Sequence, residues 1–307
     1  MTFSIVARCP EHGLLGVAVS TAVPAVGAMC PHVRPGVGAV STQSWVNPQL
    51  AIAVLDLLQA GCTAHEALES ALRADAHGHV RQIGLVTADG IALSWTGQSC
   101  TDWAGERTGP GYAIQGNMLT GAATLDAMQM AFLDSSGEPF EERLLQALEA
   151  GQRAGGDKRG RQSASLLIRD GEPCPYFDLR VDEHTDPVTE LRRVFGVAVA
   201  QWLPFRASMP TRSNPAGMPP KNVSDMLMLA PSRRPGAALQ PETKPSDLMP
   251  TDVLQKVCGT AFSPEHADAN LAAFLPILAE IHKLREIDLG DTHPAVIFDP
   301  VASWRAR

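Results

Sequence analysis

Residues 2–8 read TFSIVAR, and this strand-like run begins one residue after Met1. Phe3, Ile5 and Val6 are apolar, and no polar lead-in precedes them. That pattern requires a strand that enters a core at once. Either the first strand simply starts early, or the start of the chain is needed inside the structure. The elements that follow decide which fold the strand belongs to.

A second apolar run covers 14–21, and the PEHG turn with Pro10 and Gly13 separates the two. GVGAVSTQSW at 36–45 gives a third strand. These runs are nearly continuous in apolar residues, so both faces are expected to be covered. The period then changes. PQLAIAVLDLLQAG at 48–61 has helical spacing and stops at Gly61. Thr63 with Glu66 three residues on is a capping-box signature for a second helix. RQIGLVTADGIALSWTG at 81–97 returns to strands around an Asp89–Gly90 turn. A strand at 112–119, helices at about 121–133 and 138–153, and two strands around Asp170–Gly171 follow. A helix then starts near Asp186 and Pro187.

Strands, two helices, strands, two helices, strands is not the strict alternation of a parallel sheet. The order predicts an α+β domain over 1–203, built as a four-layer α-β-β-α sandwich. Residues 204–250 contain ten of the 24 prolines, and no aromatic residue lies between Phe205 and Phe262. That composition predicts a Pro-rich flexible linker. Over 251–307, Ser263-Pro264-Glu265 makes a good helix start. Leu271, Phe274, Leu278, Ile281 and Leu284 then form an apolar stripe. A small all-α helical hairpin of this size cannot bury the stripe alone, so a partner surface is expected.

Composition narrows the function. The 45% hydrophobic and 19% charged residues are a normal globular balance. A net charge of −8 argues against a nucleic-acid surface. No apolar run reaches the roughly 18 residues of a membrane span, and no secretory leader is legible, so a cytoplasmic protein is expected. The six cysteines are scattered without a CxxC, so neither a metal site nor a disulfide framework is expected. No cofactor is expected.

Thr2 carries the sharpest chemical reading. Aminopeptidases remove an initiator Met when the next residue is small. Thr2 would then hold a hydroxyl and a free α-amine on one residue. An α-amine titrates near 7.7–8.0, well placed to take and return one proton. Nucleophile and base would thus share a residue, provided a strand fixes it at once. Asn117 in QGNML ends a strand. It is either a turn asparagine or a donor to a tetrahedral oxyanion. The expected substrate-binding set is Gln43, Ser44 and Asn47 in STQSWVNP, Gln115, and Asp157, Arg159, Arg161 and Gln162 in GGDKRGRQSA. The last cluster reads as a solvated charged loop or as a clamp for a carboxylate or ureide.

TFSIVAR, GVAVST, VGAMCPHVRPGVGAVSTQSWVNP, RQIGLV, WTGQSCTDWAG, IQGNML, GGDKRGRQSA and YFDLRVDEHTDPVTELRR together resemble the bacterial family of domain of unknown function 1028. The resemblance runs in order from residue 2 to about 195. It implies the N-terminal-nucleophile (Ntn) hydrolase sandwich and amide-bond hydrolysis. Residues 249–307 resemble, more loosely, the small accessory subunits of amidases, such as the amidotransferase C subunit. That resemblance implies an amidase-signature partner. The expected activity is hydrolysis of a C–N bond in a small amide or ureide, cyclic or linear, by a homo-oligomer. The alternatives are an N-terminal-threonine peptidase, and a non-catalytic scaffold whose tail tethers an amidase.

Overall fold

Strand β1, Thr2–Arg8, lies inside a six-stranded antiparallel sheet. Its order is β10-β9-β2-β1-β8-β7, with β2 at Leu15–Thr21, β7 at Gly105–Gly109, β8 at Tyr112–Asn117, β9 at Ser163–Arg169 and β10 at Phe177–Val181. A second antiparallel sheet has the order β3-β4-β5-β6, with β3 at Pro31–Arg34, β4 at Gly38–Ser44, β5 at Arg81–Thr87 and β6 at Ala92–Thr96. The computed structural model describes residues 2–236 of the 307. Among the described residues, no helix is long and apolar enough to cross a membrane.

Successive side chains of a strand point to opposite faces, and β1 shows what each face meets. Phe3, Ile5 and Ala7 join a core with Leu125, Met128, Leu144 and Leu148. These come from helices α3, Ala123–Asp134, and α4, Phe140–Arg153. Val6 points the other way, into a cluster with Val17, Ala39, Val86 and Ala113 that joins the two sheets. On the far side of the small sheet, helices α1, Pro48–Gln59, and α2, Ala64–Ala74, pack Leu50, Val54, Ala67 and Leu68 onto Val40, Ile83 and Leu85. The order through the domain is helices, sheet, sheet, helices. Burying each Leu, Ile or Phe in these layers contributes about 1.5–3 kcal/mol.

Local signals set the element ends. The Thr63–Glu66 capping box forms, with Thr63 N donating to Glu66 Oε2 at 2.9 Å. Gly90 at φ 95 makes the turn between β5 and β6. Two edge strands, β3 and β7, lie where no element was expected from the sequence. Pro31, Gly105 and Gly109 hide them, since an edge strand tolerates Pro and Gly that a central strand does not.

The expected domain end at 203 falls inside a continuous helical run. Helix α5, Pro187–Val197, passes through a π-helical turn, Ala198–Trp202, into α6, Leu203–Arg206. Arg206 pairs with Asp170 at 2.7 Å, and Gln201 Nε2 donates to Pro235 O at 2.8 Å. Helix α7, Lys221–Met228, buries Val223. The chain divides into units Met1–Ala238 and Leu239–Arg307. The remainder of the expected linker and the expected 251–307 helical segment lie outside the described residues.

Candidate active site

The two sheets do not meet through a uniform core. At one end the filling is apolar: Val6, Val17, Ala39, Val86 and Ala113. At the other end it is polar, and Thr2 lies there. Thr2 is the first residue of β1, 4% exposed, and paired with Thr21 on one side and Asn117 on the other. Thr21 in turn pairs with Ser163. A row of four small polar side chains therefore crosses the sheet at its end. Thr2 Oγ1 donates to Thr21 Oγ1 at 3.2 Å.

Behind the row is a sealed carboxamide network. Asn117 Nδ2 donates to Gln82 Oε1 at 2.9 Å. Gln43 Nε2 donates to Gln82 Oε1 at 2.8 Å and to Thr2 O at 3.2 Å. Ser4 Oγ donates to Gln43 Oε1 at 2.7 Å and accepts from Gln115 Nε2. Gln43, Gln82 and Gln115 are all 0% exposed. Room for Gln115 comes from Gly84, where an added Cβ would lie 1.8 Å from Gln115 Oε1. Buried amides at this density are costly unless bonded.

Two loops border the row. Asp157, with a side chain only 1% exposed, accepts from Ala22 N at 3.2 Å and from Arg159 N at 2.8 Å. Gln162 N donates to Thr21 O at 2.8 Å. Lys158 N donates to Met118 O at 3.1 Å, and Lys158 Nζ to Asp102 O at 2.7 Å. Among the described residues, three non-glycine residues adopt the left-handed region: Ala25 at φ 57, Ser44 at φ 71 and Met118 at φ 50. Ser44 and Met118 directly follow Gln43 and Asn117. Such backbone costs about 1–3 kcal/mol and persists where the surroundings fix it.

Of the expected site residues, Thr2, Gln43, Gln115 and Asn117 come together, and Asp157, Arg159 and Gln162 border them. Gln43 and Gln115 are sealed into the frame. Asn47 caps α1, accepting from Gln49 N at 3.1 Å, and donates to Asp75 Oδ2 at 2.8 Å. Arg161 pairs with Asp186 at 3.1 Å. Sequence reading passed over Thr21 and Gln82. Their signal was a polar residue at the inward position near a strand end, which is visible only once strand register is known.

Burial disfavours two cysteine thiols as nucleophiles. Burial pushes the Cys30 thiol up to about 12, and burial also raises Cys100. Neither is a thiolate near neutral pH. Burial lowers His32, with a bond to Met29 O opposing it.

A Silicibacter pomeroyi protein of known crystal structure is 29% identical to this chain. The match covers 72% of this chain and 96% of that one, with a TM-score of 0.66. Anbu (ancestral beta-subunit) from Yersinia bercovieri is 13% identical with a TM-score of 0.30, covering 68% of this chain and 98% of its own. An Anbu (Gly-1) mutant from Hyphomicrobium sp. strain MC1 is also 13% identical, with a TM-score of 0.32, covering 66% and 96%. No curated protein matches the chain. The family model for the family of unknown function DUF1028 matches residues 2–191, and the chain belongs to that family.

Proposed function

We propose that the protein is an Ntn-type amidohydrolase that cleaves a C–N bond in a small amide or ureide, with Thr2 as nucleophile once Met1 is removed. The observation that carries this reading is the position of Thr2: first in a central strand, nearly buried, between Thr21 and Asn117. A free α-amine on Thr2 would take the proton of its own Oγ1 as Oγ1 attacks the carbonyl carbon. Thr21 Oγ1, 3.2 Å away, orients that hydroxyl. Asn117 has two N–H bonds on Nδ2. One goes to Gln82, and the other would donate to the oxyanion of the tetrahedral intermediate. The amine returns its proton to the departing nitrogen, and water then hydrolyses the Thr2 ester.

Asp157, Arg159 and Gln162 border this end and would meet the rest of the substrate. The apolar stripe in 251–307 adds an amidase-signature enzyme as proposed partner, with self-association as the alternative. A cytoplasmic location belongs to the same reading.

Intact mass of the purified protein tests the first step, and treatment with a β-lactone tests the second. A mature chain beginning at Thr2, acylated on its N-terminal peptide, is the expected result. A chain that retains Met1 in the native host would sink the mechanism.

A further inference from the structure

We infer that Gln82 is a positioning residue, which fixes the direction of the Asn117 carboxamide at Thr2; its link to catalysis rests on the Thr2 reading above. The inference starts from two acceptors that cannot reverse. Gln82 Nε2 lies 2.8 Å from Gly116 O and 3.1 Å from Gly105 O, with Thr96 Oγ1 2.9 Å from the same nitrogen, so its two N–H bonds are shared among three acceptors. Main-chain carbonyls only accept. The nitrogen of Gln82 must therefore face them, and its Oε1 must face the opposite way.

There Oε1 meets two more carboxamides, Asn117 Nδ2 at 2.9 Å and Gln43 Nε2 at 2.8 Å. An oxygen can be approached only by donors, so both neighbours must present N–H. Gln43 then turns its oxygen to Ser4 Oγ, which donates to it at 2.7 Å. Gln43 Nε2 also reaches Thr2 O at 3.2 Å. One glutamine, 0% exposed, thus propagates the polarity of fixed carbonyls to Asn117, the cross-strand neighbour of Thr2, and to Gln43, which bonds the Thr2 main chain. Asn117 is left with one N–H committed and one available, and an amide flip would place oxygen against oxygen. A donor held this way needs no reorganisation when negative charge develops beside it.

The test pairs Gln82→Met, similar in length without polar atoms, with the wild-type protein. Two readouts are used: the rate of Thr2 acylation by a β-lactone and the side-chain amide signals of Asn117 in a 15N spectrum. Folded Gln82→Met should acylate on the order of 10²-fold more slowly, as misplacement of an active-site group does, and the Asn117 signals should shift. Wild-type acylation with unmoved Asn117 signals overturns the proposal. If Gln82→Met does not fold, amide exchange in the wild-type protein decides. One slow and one fast Asn117 proton supports the proposal, and two equally fast protons overturn it. If wild-type protein is never acylated, the Thr2 reading fails by itself. The Asn117 signals then still decide whether Gln82 sets that amide.

Discussion

Thr2 and Asn117 face each other across the β1–β8 pair, at the open end of both strands. The pairing places a hydroxyl and a carboxamide in one row without any help from loop geometry. Thr2→Ala is therefore expected to abolish β-lactone acylation while leaving the circular dichroism spectrum unchanged, since a methyl still fits the site. Thr2→Ser keeps the hydroxyl and should retain part of the rate. An acylated Thr2→Ala protein would show that another residue is the nucleophile.

Asn117→Ala removes the donor opposite Thr2. Loss of one oxyanion donor lowers turnover about 10²–10³-fold, and the acylation rate should fall on that scale. The variant also takes one of two donors from Gln82 Oε1, leaving Gln43 Nε2, so about 0.5–1.5 kcal/mol of stability should be lost. Denaturation and labelling rate, measured on the same sample, separate the two effects. A rate loss that is only proportional to the unfolded fraction would assign Asn117 a structural role.

Much of this fold was legible because periodicity and caps agree. The Thr63–Glu66 box, the Gly90 turn and the pairs of helices all appear where spacing places them. The edge strands β3 and β7 were not legible, because Pro and Gly at an edge look like loop. Thr2 and Asn117 stood out as single residues in unusual settings, and Asp157 as one member of the charged GGDKRGRQSA run. The glutamine network did not, because Gln43, Gln82 and Gln115 are separated by some thirty to seventy residues in sequence. Only the face-to-face packing of two sheets joins them. The helical run through 203 was hidden by the Pro-rich composition that follows it.

Gly84, on β5, leaves the room that the Gln115 side chain of β8 occupies between the sheets. Gly84→Ala would drive a methyl onto the end of Gln115, 2.4 Å from its Cδ. Gln115 is fully buried and bonded to Ser4, so it can yield only by breaking that bond. A loss of about 1–3 kcal/mol per abandoned buried bond is expected. Urea denaturation of Gly84→Ala checks this, and stability equal to wild type would mean that Gln115 has a second accommodating position.

Acid should weaken the support beneath Gln82 only after ordinary carboxylates have begun to protonate. Asp75 accepts from Arg81 Nε at 2.9 Å and Asn47 Nδ2 at 2.8 Å, tying the cap of α1 to the first residue of β5. Arg81 directly precedes Gln82. The Arg81 bond is the main cause that takes Asp75 from 3.8 down to about 2, with burial opposing and the Asn47 bond helping. Asp75 is 9% exposed at its side chain, so solvent screens the pair little. A carboxylate depressed in the folded state contributes stability that is complete above its unfolded value and lost as pH falls through its folded one. The window is therefore about pH 4 down to pH 2, and the shift corresponds to about 2 kcal/mol. Denaturation midpoints measured from pH 6 to pH 2 should fall more steeply for wild type than for Asp75→Asn, the two curves converging at the acid end. Parallel curves would mean that the Asp75–Arg81 pair adds nothing to the fold, and that β5 is held at its start by the strand ladder alone.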